Sequence, residues 1–239
     1  MSGLKIEVIR GDCFELAVKL AGQVDLIVTD PPYGEILNED WDHECYARLG
    51  ALVSKLLKPG ATAYVWGGVG TQGSRPFLKW LSELEADKSL KLHNVITWSK
   101  KRAYGVQSNY LFTREECAMI VKGDKPKTFN IPLLDELRGY AGYNAKYPAK
   151  SEYKRRTNVW TDITELLRGK IHPAEKPSKL AEIMIRTSSN PGDLVVDLFA
   201  GSGSTGVAAR TVGERRCILY EKSNCSMHDL GGLGEVLRA

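Results

Sequence analysis

The sequence predicts a doubly wound α/β domain built on a seven-stranded, mostly parallel β-sheet. Apolar, strand-like segments alternate with segments of helical periodicity over much of the chain. Two strand segments, residues 24–29 and 194–199, are apolar almost throughout, which is typical of central strands covered on both faces. A short loop of unusual composition follows each of them. The 239 residues can bury a sizeable core as one domain, residues 1–239.

The first half of the chain supplies five of these strands and three helices. The strands are predicted at residues 4–9, 24–29, 61–66, 93–98 and 117–121, and the helices at 14–20, 44–57 and 76–87. The helix at 44–57 carries apolar side chains at positions i, i+3, i+4 and i+7, so one of its faces is expected to pack on the sheet. Lys58-Pro59-Gly60 provides the signal that ends it.

The second half begins with an irregular stretch and then returns to regular structure. Residues 123–171 are rich in proline, glycine, tyrosine and basic residues, and we interpret them as an insertion with its own short elements. Pro177 then opens a helix, and Asn190-Pro191-Gly192-Asp193 predicts a turn. Strands at 194–199 and 217–220 flank a helix at 205–212, and the last ten residues are expected to fray.

Composition and charge limit the function only loosely. The net charge of +4 permits nucleic-acid binding without requiring it. No apolar run is long enough to cross a bilayer, and the first residues lack the plan of a signal peptide, so we expect a cytoplasmic location without membrane partners. The five cysteines are scattered and form no metal-binding pattern, so we expect free thiols and no metal: Cys13, Cys45, Cys117, Cys217 and Cys225.

The loop after the first buried strand, Asp30-Pro31-Pro32-Tyr33, is suited to holding a planar amino group. The Asp30 carboxylate and the Pro31 carbonyl can accept the two N–H groups of an exocyclic amine. Proline fixes φ and brings no competing donor, so both acceptors are held in place. Tyr33 offers a flat face on which an extruded base can stack. The loop therefore indicates chemistry at the amino group of a base.

The loop after the second buried strand is a glycine turn that opens a helix. Gly201 and Gly203 permit positive φ and close approach of a ligand, and the helix start at Thr205 favours an anionic group. Glu221, at the end of the next strand, is placed to bind a ribose. The letters G-S-G-S-T-G also satisfy the dinucleotide fingerprint, so a dehydrogenase that binds NAD is an alternative at this point.

Together these segments resemble the DNA amino-methyltransferases in their beta, circularly permuted arrangement. The first loop is similar to the D-P-P-Y motif of that family, and residues 199–203 are similar to its F-x-G-x-G motif. Residues 172–177 are similar to an H-P-x-x-K-P segment, and Gly11-Asp12-Cys13 to an N-terminal motif. Arg114-Glu115-Glu116-Cys117-Ala118 is a looser match to a segment that opens a late strand.

The resemblance implies the permuted methyltransferase fold, with the two loops side by side, and transfer of a methyl group from S-adenosyl-L-methionine to N6 of adenine in DNA. The expected catalytic residues are Asp30, Pro31, Pro32 and Tyr33. The expected cofactor-binding residues are Asp12, Cys13, Asp30, Lys176, Phe199, Ala200, Gly201, Ser202, Gly203, Thr205 and Glu221. His172 is expected to support the cofactor loop.

The expected macromolecular partner is double-stranded DNA in a bacterial or phage-infected cell. Basic residues near two tyrosines are the candidate phosphate contacts, and such contacts make affinity sensitive to salt: Lys146, Lys150, Lys154, Arg155 and Arg156. Lys100, Lys101 and Arg102 are a second candidate group, and 123–171 is the expected target-recognition region. A homodimer and a cognate restriction nuclease are further partners that the resemblance allows.

Several alternatives stay open at the level of sequence. The same clamp serves the N4 amine of cytosine, and RNA or a protein glutamine are other acceptors. A non-catalytic DNA-binding protein that retains the fold is a hypothesis from another class, although the intact Asp30, Gly201, Gly203 and Glu221 argue against it. The dehydrogenase hypothesis leaves Asp30-Pro31-Pro32-Tyr33 without an explanation.

Overall fold

The computed structural model describes residues 5–33, 40–69, 74–84, 88–105, 107–137, 151–165, 175–222 and 235–238. Within them the strands are β1 (Lys5–Arg10), β2 (Val24–Thr29), β3 (Leu57–Gly67), β4 (Leu90–Tyr104), β5 (Phe112–Lys122), β6 (Leu133–Leu137), β7 (Tyr153–Arg155), β8 (Val159–Trp160), β9 (Leu194–Asp197), β10 (Arg216–Glu221) and β11 (Glu235–Arg238). The helices are α1 (Cys13–Leu16), α2 (Asp40–Leu56), α3 (Ser74–Glu83), α4 (Ser178–Ser188) and α5 (Ser204–Val212), and a short 3₁₀ helix, Ala17–Leu20, follows α1.

The main sheet has the strand order β11-β1-β10-β9-β2-β3-β5-β4-β8 in the described residues. The strands from β11 to β3 are mutually parallel, β5 is antiparallel to both of its neighbours, and β8 is parallel to β4. The predicted doubly wound, mostly parallel fold is therefore confirmed, and each of the seven predicted strands is present.

Two short edge strands extend the sheet beyond the seven predicted. β8 contains only two residues, too few to show a periodicity. β11 pairs in parallel with β1, so the expectation that the last ten residues fray is wrong for Glu235–Arg238. The expectation rested on the glycines that precede this strand, and it missed that the outer edge of β1 was available for pairing.

Helices cover both faces of the sheet. The apolar residues of α2 and α3 pack on one face with Ile27 of β2, and those of α4 and α5 pack on the other face with Leu26 and Val28 of the same strand. Alternate residues of one strand thus enter opposite cores, which explains why β2 is apolar along almost its whole length. No helix of the described residues is long and apolar enough to cross a membrane.

The direction of chain crossing reverses between β9 and β2. From β9 the chain passes through α5 to β10 on one side, whereas from β2 it passes through α2 to β3 on the other. Because β9 and β2 are parallel neighbours from which the chain crosses in opposite directions, their carboxyl ends mark the switch point at which open α/β sheets bind their ligands. The expected adjacency of the strands before the two unusual loops is confirmed.

The described parts of the irregular stretch hold short elements of their own. β6 and β7 form a separate two-stranded antiparallel sheet, and β8 then joins the edge of the main sheet beside β4. Thr97 N donates to the Asn158 carbonyl at 2.8 Å, which ties the end of this stretch to β4. The interpretation as a target-recognition insertion stays a prediction.

Candidate functional site

The loops at the carboxyl ends of β1, β10, β9 and β2 are connected to one another by hydrogen bonds. Thr29, the last residue of β2, donates its hydroxyl to Asp197, the last residue of β9, at 2.9 Å. Ala200 N donates to the Tyr220 carbonyl at 2.9 Å, and Gly11 N donates to the Glu221 carbonyl at 2.9 Å. Residues that are far apart in sequence therefore share one edge of the sheet, at the switch point.

The Asp30 carboxylate stands directly beyond β2 and is held by two donors. The Tyr33 hydroxyl donates to its Oδ1 at 2.8 Å, and the Lys176 ammonium donates to its Oδ2. Lys176 also donates to the Tyr33 hydroxyl oxygen at 2.9 Å, which closes a triangle. The Asp30 side chain keeps 27% of its surface exposed, whereas that of Lys176 keeps 10%. The carboxylate is thus fixed in orientation but still reachable from the crevice.

Glu115 is a site residue that sequence reasoning missed. Its Oε2 lies 3.0 Å from Lys176 Nζ and 3.3 Å from the Tyr33 hydroxyl, and its Oε1 pairs with Lys100. In the sequence, only a loose resemblance marks the segment 114–118. Nothing in it distinguishes Glu115 from Glu116, which instead accepts a hydrogen bond from Thr97 at 2.7 Å.

Burial and charged neighbours shift the pKa values of Asp30, Tyr33, Glu115 and Lys176. Burial opposes ionisation of Glu115, but the charges of Lys176 and Lys100 outweigh it and lower the pKa of Glu115 to about 2. Burial also opposes the charge of Lys176, yet Asp30 and Glu115 together raise its pKa. At neutral pH the site therefore holds an ammonium between two carboxyl groups.

The pKa values of Asp30 and Tyr33 are both raised. Burial raises the pKa of Asp30, and the charge of Glu115 adds to this shift, while Lys176 opposes it. Burial and the carboxylate of Asp30 hold the pKa of Tyr33 well above its ordinary value, so its hydroxyl keeps its proton and donates. A carboxylate with a raised pKa at an exposed edge is suited to accept hydrogen bonds and, for a short time, a proton.

The Tyr33 ring is fixed on one side by the loop after β3. A Cβ added at Gly68 would lie 3.1 Å from Tyr33 Cδ2, so the ring packs closely on this glycine. The Lys176 ammonium lies 5.3 Å from the centroids of both the Tyr33 and the Trp66 rings. Pro31 is buried and Pro32 is half-buried, as a stiff loop beneath the ring requires.

The glycine turn after β9 has the geometry that the sequence predicts. Gly201 has φ 51° and Gly203 has φ 82°, and Gly203 is the residue that caps α5. A Cβ placed on Gly201 would meet nothing within 4 Å, so the surface above this turn is open. Phe199 and Ser202 are half-buried beside it, and Ala200 is buried. The turn therefore leaves room for a ligand at the N-terminus of α5.

Acidic side chains surround this open turn. Glu221 accepts a hydrogen bond from Gly201 N at 2.7 Å. Asp12 caps α1 by accepting from Phe14 N at 2.9 Å, and its other oxygen lies 3.2 Å from Lys222 Nζ. These carboxylates line the edge of the sheet on the side of the crevice away from Tyr33.

Two of the expected cofactor residues point into the protein. Thr205 is 3% exposed, and its hydroxyl donates to Asp197 at 2.6 Å. Cys13 is also 3% exposed, and burial raises the pKa of its thiol. Both side chains are packed in the core. Thr205 and Cys13 can therefore contact a ligand only through their backbone atoms.

The expected phosphate contacts are only partly free. Lys154 pairs with Glu136, and Arg156 forms two hydrogen bonds of 2.7 and 2.8 Å with the Asp162 carboxylate. The Arg155 guanidinium lies 5.9 Å from the centre of the Phe129 ring. Lys146, Lys150 and His172 lie outside the described residues.

The cysteines of the described ranges are free and buried: Cys13, Cys45, Cys117 and Cys217. No group of three or more His, Cys, Asp or Glu side chains in the described part of the chain is placed to hold a metal ion. All four thiols lie in the core of the fold.

Fold and site together define an α/β protein of methyltransferase architecture, and comparisons with known proteins agree. The chain matches the N6_N4_Mtase family, described as DNA methylase, over residues 24–228. It is 30% identical over 230 residues to the DNA adenine methyltransferase YhdJ of Escherichia coli (strain K12), covering 87% of this chain and 76% of that protein. The chain therefore belongs to the N6/N4 DNA methylase family.

Solved structures are similar in fold. The PvuII DNA methyltransferase, described as cytosine-N4-specific, has a TM-score of 0.73 at 20% identity, over 94% of this chain and 86% of that one. The M1.HpyAVI–SAM complex has a TM-score of 0.64 at 23% identity, over 95% and 98% of the two chains. Two Type II methyltransferases that match this chain are longer, and it spans 55% and 59% of their lengths.

Proposed function

We propose that this protein transfers a methyl group from S-adenosyl-L-methionine to the exocyclic N6 of adenine in double-stranded DNA. The observation that carries the proposal is that β2, which leads to Asp30 and Tyr33, and β9, which leads to the open glycine turn at Gly201, are parallel neighbours at the switch point. The loops at the carboxyl ends of adjacent parallel strands open on the same edge of the sheet, as an amino-group clamp and a cofactor seat of one active site require.

The residues around the turn fit S-adenosyl-L-methionine. The open space above Gly201 admits its body, and the N-terminus of α5 after Gly203 favours its carboxylate. Glu221 and Asp12 supply carboxylates for its ribose and adenine groups. When bound there, the cofactor supplies an electrophilic methyl group.

The clamp residues bind and orient the amino group of the target base. The Asp30 carboxylate and the Pro31 carbonyl accept hydrogen bonds from its two N–H groups. This geometry turns the nitrogen lone pair out of the plane of the ring. The Tyr33 ring stacks on the extruded base. Lys176 and the Tyr33 hydroxyl hold the Asp30 carboxylate in the orientation that this requires.

The methylated nitrogen must release a proton, and Asp30 is placed to receive it. Burial raises the pKa of Asp30, so its carboxylate is a stronger base than an ordinary aspartate. Its partial exposure gives the proton a path to water when the product leaves. No nucleophilic side chain is needed, which agrees with the buried thiols of the described residues.

Adenine is the proposed acceptor because the clamp begins with Asp30, the residue that the resemblance associates with adenine, and because YhdJ is an adenine methyltransferase. N4 of cytosine is the alternative, since the same two acceptors serve either amine and the PvuII enzyme is cytosine-specific. Mass spectrometry of nucleosides from methylated DNA separates N6-methyladenine from N4-methylcytosine.

We further infer that residues 1–239 form one permuted, beta-class catalytic domain. In chain order the clamp strand β2 comes first and the cofactor strand β9 comes last. The recognition insertion is proposed at 123–171, where β6 and β7 form a sheet of their own. A restriction nuclease and a second copy of the chain are proposed partners on the resemblance alone.

The proposal is tested with Asp30→Ala. Methylation of DNA with radiolabelled cofactor is expected to be lost, while calorimetry shows that S-adenosyl-L-methionine still binds. Methylation by the variant at the wild-type rate removes the clamp assignment. Absence of cofactor binding to the wild type favours a non-catalytic DNA-binding protein, and binding of NAD in its place favours the dehydrogenase hypothesis.

A further inference from the structure

The hairpin formed by β4 and β5 extends beyond the catalytic edge of the sheet. β4 runs in the same direction as β3, and Trp98 of β4 pairs with Glu115 of β5, the residue that contacts Lys176 and Tyr33. The pairing resumes at Tyr104 and Phe112. Tyr104 is four positions beyond Lys100, so the strand extends roughly 13 Å past Lys100 at about 3.3 Å per residue.

The described residues of this hairpin tip, 99–105 and 107–112, are basic and expose large apolar side chains. Lys101 and Arg102 are exposed, and within the described residues neither side chain has a carboxylate at ion-pair distance. Tyr110 is 92% exposed and Leu111 is 60% exposed. An aromatic ring so exposed adds little to the core and is available for contact with another molecule.

Hydrogen bonds and side-chain packing hold the hairpin tip in place. The Glu165 carboxylate accepts hydrogen bonds from Lys101 N at 2.9 Å and Arg102 N at 2.7 Å. Leu111 lies close to Gly105, where an added Cβ would be 3.1 Å from Leu111 Cδ2. Because the Glu165 carboxylate is occupied by backbone donors, the side chains of Lys101 and Arg102 remain available for an anionic partner.

We propose that this hairpin tip contacts the DNA duplex at the position that the target base leaves. An extruded base reaches Tyr33 only if the duplex lies against the carboxyl edge of the sheet, which is the edge from which the hairpin extends. Lys101 and Arg102 then lie on phosphates, and Tyr110 packs on the bases next to the vacated position. The inference rests on the proposed function and names the element that meets the duplex.

The test first identifies a methylated sequence by single-molecule sequencing of DNA from cells that express the wild type. A duplex with that sequence and 2-aminopurine at the target is the probe. Tyr110→Ala is expected to lower the fluorescence gain on binding and to reduce kcat/KM for DNA about tenfold or more, with cofactor affinity unchanged. Tyr110→Trp is expected to restore both.

The double variant Lys101→Ala/Arg102→Ala tests the pairing with phosphates. The slope of log affinity against log salt is expected to fall by about 2, because each phosphate that a side chain neutralises contributes roughly 0.9 to the slope. Lys91→Ala is the matched control, because Lys91 is an exposed lysine of the same strand at the opposite edge of the sheet, and it leaves the slope unchanged. Leu78→Ala, an exposed apolar residue of α3, is the control for Tyr110.

The outcomes separate this inference from the proposed function. If the wild type methylates DNA and both hairpin variants match it in kcat/KM, fluorescence and salt slope, the hairpin does not meet the duplex and the inference is wrong. If the wild type methylates no DNA, the proposed function fails first. A third outcome is that Tyr110→Ala changes the oligomeric state and leaves DNA binding unaltered. That result assigns the tip to contacts between copies of the chain and also overturns the inference.

Discussion

The hydroxyl of Thr29 donates a 2.9 Å hydrogen bond to Oδ1 of Asp197, although the two residues are 168 positions apart. Thr29 precedes Asp30 of the clamp, and Asp197 ends the strand that leads to the glycine turn. Asp197 also accepts from Phe199 N at 3.0 Å and from the Thr205 hydroxyl at 2.6 Å. One buried carboxyl group therefore fixes the relative position of the two halves of the site.

This carboxyl group should make stability depend on pH. Burial raises the pKa of Asp197 to about 6, against 3.8 for an ordinary aspartate. Because the folded state holds the proton of Asp197 more tightly than the unfolded state, the contribution of this group to stability is fully present below about pH 4 and is lost as the pH rises to about 6. The loss due to Asp197 between pH 4.5 and pH 7 should be about 2 kcal/mol.

Asp197→Asn provides the comparison, because asparagine keeps the shape but does not titrate. Urea unfolding of both proteins at pH 4.5 and pH 7 should show that the wild type loses more stability over this interval than the variant. Since all other groups are shared, the difference between the two losses measures the effect of Asp197. An identical pH dependence of wild type and variant would contradict the raised pKa.

The two loops at the switch point could be predicted from the sequence because each is a contiguous motif that follows an apolar strand. The positions of Lys176 and Glu115 could not, because their contact depends on how β5 and the start of α4 are placed in three dimensions. The strand register that brings Glu115 beside Trp98 is a property of the assembled sheet. A sequence pattern cannot show it.

The same limit applies to the basic cluster that the sequence suggests as the DNA contact, and that assignment stays a prediction. Arg156 is expected to meet phosphate, yet its side chain is 9% exposed and pairs with Asp162, six residues away. Counting charges along a segment shows how many are present but not which are already neutralised. The hairpin tip at Lys101 and Arg102, only a second candidate from the sequence, keeps its charge available in the described structure.

Lys176→Met should slow methyl transfer about 100-fold, because Asp30 loses the donor that fixes its orientation. It should also move the acidic limb of the pH–rate profile to higher pH, since the charge of Lys176 lowers the pKa of Asp30 and its removal raises that pKa further. Single-turnover rates from pH 5.5 to pH 9 at saturating cofactor measure both effects. Lys179→Met, an exposed lysine three positions further along in α4, should behave like the wild type. An unshifted limb in Lys176→Met would show that Asp30 is not the titrating group.

Glu115→Gln should shift the same limb in the opposite direction. The charge of Glu115 raises the pKa of Asp30, so its removal lowers that pKa and moves the acidic limb to lower pH. The maximal rate should fall only about tenfold, because Lys176 still holds Asp30. Glu83→Gln, an exposed residue of α3, is the control. A shift of both Glu115→Gln and Lys176→Met in one direction would mean that Glu115 acts on packing and not through its charge.

Gly68→Ala should disturb the Tyr33 ring and spare the cofactor site. The added Cβ would lie 3.1 Å from Tyr33 Cδ2, which is closer than an ordinary contact, so the ring must move by a few tenths of an ångström. Because base stacking depends on the ring plane, kcat should fall about tenfold to 100-fold, while thermal unfolding shows a loss of about 1 kcal/mol from overpacking. Calorimetry with S-adenosyl-L-methionine should give the wild-type affinity, since Gly68 follows β3 and the cofactor turn follows β9. If the variant loses cofactor binding as well as turnover, Gly68 acts on the cofactor site and not only on Tyr33. Unchanged turnover would show that the orientation of Tyr33 does not limit the reaction.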